Sequence, residues 1–427
     1  MADMVNVAVD AMGGDNAPVE IIKGAIDALN AEERVKIFLV GREEVIKEEL
    51  KKYTFDAARV EIVHAEEVIE TAEPPVMAIR RKKDSSIVKA MYMVKEGTCD
   101  AFVSAGSTGA VLVGGQVIVG RIKGVERPPL APLIPTENGV SLLVDCGANV
   151  DARPSHLVQF AKMGSVYMES VMGIKNPRVG IVNNGAEEEK GNALVKETFP
   201  LLKNCPEINF IGSVEARDIP AGVADVIVCE AFVGNVVLKL YEGVGATLIK
   251  KVKAGMMTSL RSKIGALLVK PALKQTLKAF DLEQYGGAPM LGLNGLVVKS
   301  HGSSNAVEIK NSVLQCVTFK EQKINDKIKE KIKYMSDNKI RKTIDYRGTN
   351  EINELVEEFN RLVAQLNIVE ERRQQFVSNA SHELKTPLSS LKLICDSILQ
   401  NPDVDMELVK EFLCDMNDEV DRLTRIT

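Results

Sequence analysis

The chain has 427 residues, of which 45% are hydrophobic and 26% charged, and its formal net charge is −5. This length predicts two or three domains, and the composition is that of an ordinary globular protein with enough apolar material for a core. The acidic balance argues against a nucleic-acid partner, and seven scattered Cys residues without a C-x-x-C pair argue against a disulfide framework or structural zinc. We also expect no membrane-spanning segment, because no apolar run approaches the roughly 18 residues that one needs.

Strand and helix patterns alternate through the first half of the chain, and a long helix is predicted to begin near Asn235. Another helix is predicted from Ala306 to about Lys333. Strands separated by helices of ten or more residues are typical of an α/β fold with a mainly parallel sheet sandwiched by helices. The predicted strands are residues 5–9, 35–40, 60–64, 100–104, 130–134, 141–144, 178–182, 208–211 and 224–228.

Polar, often glycine-rich loops follow five of these strands, which end at Val9, Ser104, Val144, Val182 and Val228. Ligands of α/β folds bind at the carboxyl ends of the strands, so we expect all five loops on one rim. Glycine turns that lead into helices present backbone N–H groups to an anion such as phosphate. The candidate residues are Asp10, Gly13, Gly14, Asp15, Ser104, Gly106, Ser107, Thr108, Gly109, Asp145, Asn149, Asn183, Lys190, Asn192, Asn235 and His301.

Two of these candidates carry alternatives that the sequence leaves open. Lys190 can supply a point charge to the bound anion, or it can be an ordinary surface lysine in a charged loop. His301 can act as a general acid or base near neutral pH, but a hydrogen-bonded loop histidine is the simpler interpretation. The chain lacks the common nucleophile, zinc and P-loop motifs, so direct attack by a bound phosphate is the chemistry that fits.

Residues 252–280 interrupt the α/β pattern with an amphipathic helical hairpin rich in Leu and Lys. We expect Pro271 to divide it into two helices. The hairpin can pack on its own domain or on a twin subunit. A basic amphipathic surface also suits a membrane or an acidic protein partner.

Several motifs, in order, closely resemble the phosphate acyltransferase (PlsX) family of bacterial phospholipid synthesis. The resemblance covers residues 4–333. It implies a fold akin to phosphotransacetylases and isocitrate-type dehydrogenases, a homodimer, and a cytoplasmic enzyme held loosely at the inner face of the membrane. The motifs are residues 7–18, 80–83, 104–110, 120–124, 145–151, 190–192 and 301–304.

The resemblance also implies a reaction, the reversible transfer of a fatty acyl group from acyl carrier protein to inorganic phosphate, giving acyl phosphate. Lys190 resembles the family's catalytic-loop lysine, with Asn192 and Asn235 as its polar neighbours, and the other loop residues hold phosphate and thioester. Residues 80–83 and the hairpin lysines become candidates for docking the acidic carrier. No metal and no cofactor are implied. A phosphotransacetylase that uses acyl-coenzyme A is the alternative.

Composition changes after about residue 333, where glycine nearly disappears and a helical seam runs through residues 352–366. His382 and Glu383, with Thr386 one turn later, lie in a run that resembles the dimerisation and phosphoacceptor domain of sensor histidine kinases, a dimeric four-helix bundle. Residues 348–362 resemble the second helix of a HAMP relay module. We therefore predict an acyltransferase domain at 1–333, a linker with a partial HAMP helix at 334–366, and a phosphoacceptor domain at 367–427.

The kinase-like part lacks the motifs of an ATP-binding domain, so we expect it to be truncated and catalytically incomplete. His382 would accept phosphate only from a separate kinase ATP-binding domain and would pass it to a response regulator, as in a two-component system. We interpret the chain as an engineered fusion. Alternatively, the phosphoacceptor bundle is the functional part and the enzyme is its dimeric scaffold.

Overall fold

The computed structural model describes residues 4–279 and 282–337, together with the isolated positions 358, 361 and 365. The chain divides into two units at residue 334, and the fold below is that of the first unit. The predicted linker, the HAMP-like helix and His382, Glu383 and Thr386 lie outside the described residues.

Eleven strands are assigned in the described part of the chain, and most are apolar runs buried on both faces, as parallel strands require. They are β1 (Val5–Asp10), β2 (Val35–Gly41), β3 (Val60–His64), β4 (Ala101–Ser104), β5 (Leu133–Thr136), β6 (Gly139–Val144), β7 (Arg178–Asn183), β8 (Asn209–Glu215), β9 (Val226–Val228), β10 (Ala288–Met290) and β11 (Leu296–Lys299).

Eleven α-helices are assigned in the same residues. They are α1 (Val19–Ala31), α2 (Glu43–Leu50), α3 (Pro75–Arg81), α4 (Ser86–Lys95), α5 (Thr108–Gly114), α6 (Pro154–Ser170), α7 (Ala193–Lys203), α8 (Ala231–Met256), α9 (Leu260–Ala279), α10 (Ala306–Glu321) and α11 (Ile324–Asp337). A π-helical turn, Gly115–Val119, continues α5.

The strands form two sheets rather than the single sheet that the alternation suggested. The first has the order β10-β11-β4-β1-β2-β3, and the second has the order β5-β6-β9-β7-β8. Each sheet is parallel except for one antiparallel pair, β10 with β11 and β5 with β6. The α/β fold with mainly parallel strands is confirmed, but the five polar loops are shared between two sheets.

Helices cover both sheets and bury the aliphatic core. Helices α1 and α10 pack together beside the first sheet, and α4 and α5 enclose a cluster around Phe102 and Met91. In the second sheet, α6 packs on β6 and β9. The first turns of α8 pack Val233 and Val237 against the buried cluster that contains Ile227.

Helix α8 departs from two expectations. It has the length and composition of a membrane-crossing helix, which the sequence interpretation missed, and only 6% of its apolar window is buried. The hairpin is formed by α8 and α9 and turns at residues 257–259, whereas α9 continues through Pro271, so the division predicted at that proline is wrong. Ser259 explains the position of the turn, because its hydroxyl accepts a hydrogen bond from Ser262 N at 3.1 Å and caps α9.

Candidate functional site

Three neighbouring strands of the first sheet end in a row of polar side chains, Asp10, Ser104 and Lys299. Val9 pairs with Val103 and Lys299 pairs with Ser104, so the three residues lie at one level on parallel strands. The Ser104 hydroxyl donates to Asp10 Oδ2 at 2.7 Å and accepts from Gly106 N at 3.0 Å. Asp10 is fully buried, and this burial raises the pKa of its carboxyl.

The glycine turn after β1 lies too close to its neighbours for any side chain. A Cβ on Gly13 would lie 2.1 Å from Asp10 Oδ2 and 2.8 Å from Gly106 N. Gly14 has a φ of +104°, and its added Cβ would meet Gly302 O at 3.0 Å. Asp15 N donates to the same carbonyl at 2.7 Å. The loops after β1, β4 and β11 therefore interlock.

The predicted turn at Ser104–Gly109 starts α5 as expected. Ser107 is the N-cap, and its buried hydroxyl accepts from Ala110 N at 3.4 Å. Thr108 is exposed, whereas Gly109 lies against Pro75, whose Cγ would be 2.4 Å from an added Cβ. The hydroxyl of Ser107 thus serves the helix, and that of Thr108 faces solvent.

Lys299 is the site residue that sequence reasoning missed. Its side chain is only 8% exposed, and its ammonium donates to Ser300 O. Burial lowers the pKa of Lys299 to about 8, while Glu308, Asp10 and Asp15 oppose the shift through their negative charges. The available signal was a lone lysine that ends the apolar run Leu296–Val298 directly before the polar segment of His301.

His301 follows this row in an exposed loop with a fixed ring orientation. Its Nδ1 accepts from Ser303 N at 3.2 Å and lies 2.8 Å from Ser303 Oγ, so Nε2 is the nitrogen left for other partners. Its backbone N donates to Glu308 Oε1 at 3.0 Å. Glu242 of α8 lies within electrostatic range of His301, which places α8 beside this loop.

Asp145 organises the loop after β6 in the second sheet. Its Oδ1 accepts from Leu130 N at 2.9 Å, and its Oδ2 accepts from both the backbone N and Nδ2 of Asn149, each at 2.7 Å. Burial raises the pKa of Asp145 to about 6, and these hydrogen bonds oppose the rise. With both oxygens engaged, Asp145 shapes the turn, and the same Asn149 Nδ2 also contacts Pro128 O at 3.0 Å.

Helix α8 starts directly on this loop. A Cβ on Gly234 would lie 2.0 Å from Asp145 O, and Ala231 N donates to Asn149 O at 3.3 Å. Asn235 is partly buried in the same turn. Because Glu242 of this helix lies within electrostatic range of His301, α8 passes near both groups of candidate residues.

The loop after β7 carries the third group. Asn183 Nδ2 donates to Lys190 O at 3.3 Å and to Ser213 Oγ at 3.0 Å. Asn192 caps α7, since its Oδ1 accepts from Val195 N at 2.9 Å. Lys190 is exposed, and its ammonium forms no ion pair with the described residues. In the order β6-β9-β7, two strand spacings of about 4.8 Å place the Asn183 backbone roughly 10 Å from that of Asp145.

The structure thus places the predicted residues in three groups at strand ends. This arrangement gives their positions but does not by itself assign roles as ligands or catalysts. Within the described ranges, no group of three or more His, Cys, Asp or Glu residues could hold a metal ion.

Parallel strands with glycine-rich loops at their carboxyl ends are the arrangement of an α/β enzyme. Residues 5–327 match a family described as fatty acid synthesis protein. Phosphate acyltransferase of Clostridium acetobutylicum is 49% identical over 330 residues, covering 77% of this chain and 99% of that protein. The Clostridium beijerinckii phosphate acyltransferase is 52% identical over 316 residues, covering 74% of this chain and 95% of that protein. The chain belongs to the phosphate acyltransferase family of enzymes.

A second family covers the end of the chain. Residues 372–427 match the His Kinase A (phospho-acceptor) domain, and this range contains His382. Both resemblances drawn from the motifs are confirmed, and the two segments are fused in one chain. The HAMP-like helix remains a prediction.

Solved structures with a similar chain path include two phosphotransacetylases. EutD phosphotransacetylase from Staphylococcus aureus is 17% identical with a TM-score of 0.47, covering 75% of this chain and 94% of that chain. A phosphotransacetylase from Streptococcus pyogenes is 17% identical with a TM-score of 0.49, covering 74% and 94%.

Proposed function

We propose that residues 4–333 transfer a fatty acyl group from the thioester of acyl carrier protein to inorganic phosphate. A phosphate oxygen attacks the thioester carbonyl, the C–S bond breaks, and the products are acyl phosphate and the carrier thiol. The observation that carries this proposal is the match to phosphate acyltransferases near half identity, which spans every loop of the candidate site. The carrier as acyl donor and phospholipid synthesis as the destination rest on the motif resemblance.

The described contacts favour a division of labour among the loops. The side-chain oxygens of three residues, Asp10, Ser104 and Asp145, are hydrogen-bonded to other protein groups. These residues therefore hold the turns in place. Lys190 is the exposed cation among the candidates, which suits contact with phosphate and with the oxyanion that forms at the carbonyl. Asn235 and His301 Nε2 remain available to orient the substrates.

Lys190→Ala tests this assignment. Loss of the ammonium should lower kcat/KM for acyl transfer by about 100-fold, a typical effect of removing one group that stabilises an oxyanion. Lys190→Arg keeps the charge and should retain part of the activity. Lys196→Ala, a nearby exposed lysine on α7, is the matched control. Full activity in a folded Lys190→Ala protein would remove Lys190 from the mechanism.

Acyl-coenzyme A is the alternative donor, because the relatives' names specify phosphate but not the thiol carrier. Comparing kcat/KM for the two thioesters with the same acyl chain decides between them. We expect the carrier-bound thioester to be preferred. A clear preference for acyl-coenzyme A would make the chain a phosphotransacetylase.

The match to a phosphoacceptor domain supports a second activity at His382, with Glu383 and Thr386 beside it in the sequence. We propose that a separate kinase ATP-binding domain phosphorylates His382 and that a response regulator accepts the phosphate. Acid-labile phosphate that appears on the chain and is lost in His382→Gln would support this. No label on the unsubstituted chain would leave the segment a structural element.

We propose that the chain attaches peripherally to the inner face of a membrane and forms a homodimer. The exposed hairpin of α8 and α9 supports membrane attachment or self-association, and the inner face rests on the motif resemblance. The hairpin's exposed apolar side chains form an i, i+4 series along α8 and a leucine-rich surface on α9, with lysines among them. An amphipathic basic surface binds anionic lipid, and an apolar stripe of this length also suits contact with a second copy. The exposed series are Phe232, Val236, Leu240, Val244 and Leu248, then Leu260, Ile264, Leu267 and Leu268.

A further inference from the structure

Exposed basic residues are concentrated in the two chain segments that flank the Asp145 loop in sequence. Residues 120–129 and 150–156 together carry four basic residues and two acidic ones, in a chain whose net charge is −5. All four basic residues are exposed. We name them the 121–153 patch; its members are Arg121, Lys123, Arg127 and Arg153.

The scaffold of the patch is held by hydrogen bonds, and Glu126, one of its two acidic residues, is engaged by protein groups, whereas the other, Asp151, is exposed. Glu126 Oε2 accepts from Ser155 Oγ at 3.0 Å and lies 3.1 Å from His156 Nε2. Glu126 N donates to Gln159 Oε1 at 2.9 Å. Arg127 and Arg153 lie near enough to His156 to lower the pKa of its imidazole, which burial lowers most. The two arginines therefore lie near the hydrogen-bonded group formed by Glu126, Ser155 and His156.

This network touches the candidate site directly. Pro128 O, next to Arg127 in the chain, accepts from Asn149 Nδ2 at 3.0 Å, and the same Nδ2 contacts Asp145 Oδ2 at 2.7 Å. Leu130 N binds the other Asp145 oxygen at 2.9 Å. A partner seated on the patch would therefore lie beside the turn that Asp145 organises.

The other basic segments fit an acidic protein less well. Residues 66–84 contain four basic and five acidic residues, and Lys82 is paired with Glu73 at 2.6 Å. The hairpin is basic, but its lysines are interspersed with exposed leucines, which suits lipid. Its turn also lies about 30 Å along α8 from Asn235, at 1.5 Å per residue.

We propose that the 121–153 patch docks the acidic surface of the carrier protein that delivers the acyl thioester to the Asp145–Asn149 loop. This inference rests on the proposed function, because it names the surface that such a donor uses. Positive charge beside the site would speed and orient the encounter without taking part in acyl transfer.

The test is the double charge reversal Arg127→Glu with Arg153→Glu, measured by steady-state kinetics with the acylated carrier. We expect KM for the carrier to rise about 10-fold or more while kcat stays within about twofold, and we expect the salt dependence of KM to weaken. Arg80→Glu with Arg81→Glu makes the same change of charge on the rival segment and should leave KM unchanged. Matching thermal unfolding curves check that both variants fold.

Other outcomes separate this inference from the proposed function. If the unsubstituted chain transfers no acyl group from the carrier, the proposed function is wrong and the docking inference falls with it. If that chain is active but the Arg127 and Arg153 reversal leaves KM unchanged, the docking surface is wrong. It is equally wrong if the Arg80 and Arg81 reversal raises KM as much, or if the Arg127 and Arg153 reversal weakens only binding to anionic vesicles.

Discussion

At the scale of single residues, the hydrogen bond between Ser104 and Asp10 is the contact that ties two strand ends together. Ser104→Ala leaves the buried carboxyl of Asp10 short of its hydroxyl donor, which should lower the free energy of unfolding by about 1–3 kcal/mol. Urea unfolding measures the loss. The same substitution made in Asp10→Asn should cost less, because the carboxyl acceptor of the Ser104 hydroxyl is gone; equal costs in both backgrounds would contradict the coupling.

Asp145 gives a pH-dependent prediction. Burial raises its pKa from 3.8 to about 6, so the folded chain holds a proton in this window that the unfolded chain releases. The stabilisation from this group is complete below pH 3.8 and is lost as pH rises through about 6. In Asp145→Asn, the free energy of unfolding should therefore fall less between those pH values than in the unsubstituted chain. Parallel profiles by urea unfolding would show that Asp145 does not titrate this way.

The sequence revealed which loops carry polar side chains but not what their atoms touch. Asp10, Asp145 and Lys190 could be chosen because each follows a buried apolar strand. Lys299 could not, because its place beside Ser104 depends on pairing between strands almost 200 residues apart. Asn192 was predicted to be a polar neighbour of the catalytic lysine. The structure shows that its side chain caps α7, which the sequence alone did not indicate.

At the scale of elements, the close approach of α8 to the Asp145 loop depends on Gly234. Gly234→Ala would place a Cβ 2.0 Å from Asp145 O, so the helix start must shift, and both stability and acyl transfer should fall. Gly243→Ala in the same helix meets nothing within 4 Å and should stabilise the helix by up to about 1 kcal/mol. Thermal unfolding of the pair separates packing from helix propensity; similar effects in both would contradict the close approach.

The leucines of α9 give a prediction about membrane binding. Leu260, Leu267 and Leu268 are each more than 70% exposed, so changing all three to Ser should cost little stability. Binding to anionic vesicles should fall by at least about 10-fold, because apolar burial in the interface contributes to the attachment. Cosedimentation measures this. Unchanged vesicle binding together with a lower solution mass would instead assign the leucines to contact between two copies.

Helix ends were predictable where a cap or glycine marks them and not where a competing signal intervenes. In the structure, Ser107 marks the start of α5 and Pro154 marks the start of α6. Pro271 was predicted to divide the hairpin and the Ser259 cap was not identified, but an exposed helix can tolerate one missing backbone N–H. The helix predicted from Ala306 is divided because Lys323 has a φ of +51°, a left-handed conformation that local sequence did not indicate.

At the scale of the whole molecule, the α/β class followed from the alternation of strands and helices, but the division into two sheets did not. The periodicity of apolar residues does not indicate which strands pair. Strands β10 and β11 belong to the first sheet although the second sheet and the hairpin separate them from β4 in the chain. The domain limits at residues 333 and 366 and the engineered origin of the fusion remain predictions.

The most direct test of the account is a single assay of acylated carrier protein, inorganic phosphate and the full chain. Acyl phosphate is trapped as a hydroxamate, and the released carrier thiol is counted in the same sample. We predict equal amounts of acyl phosphate and thiol, with both dependent on phosphate. Thiol release without acyl phosphate, or acyl phosphate formed only from acyl-coenzyme A, would contradict the proposed acyl transfer.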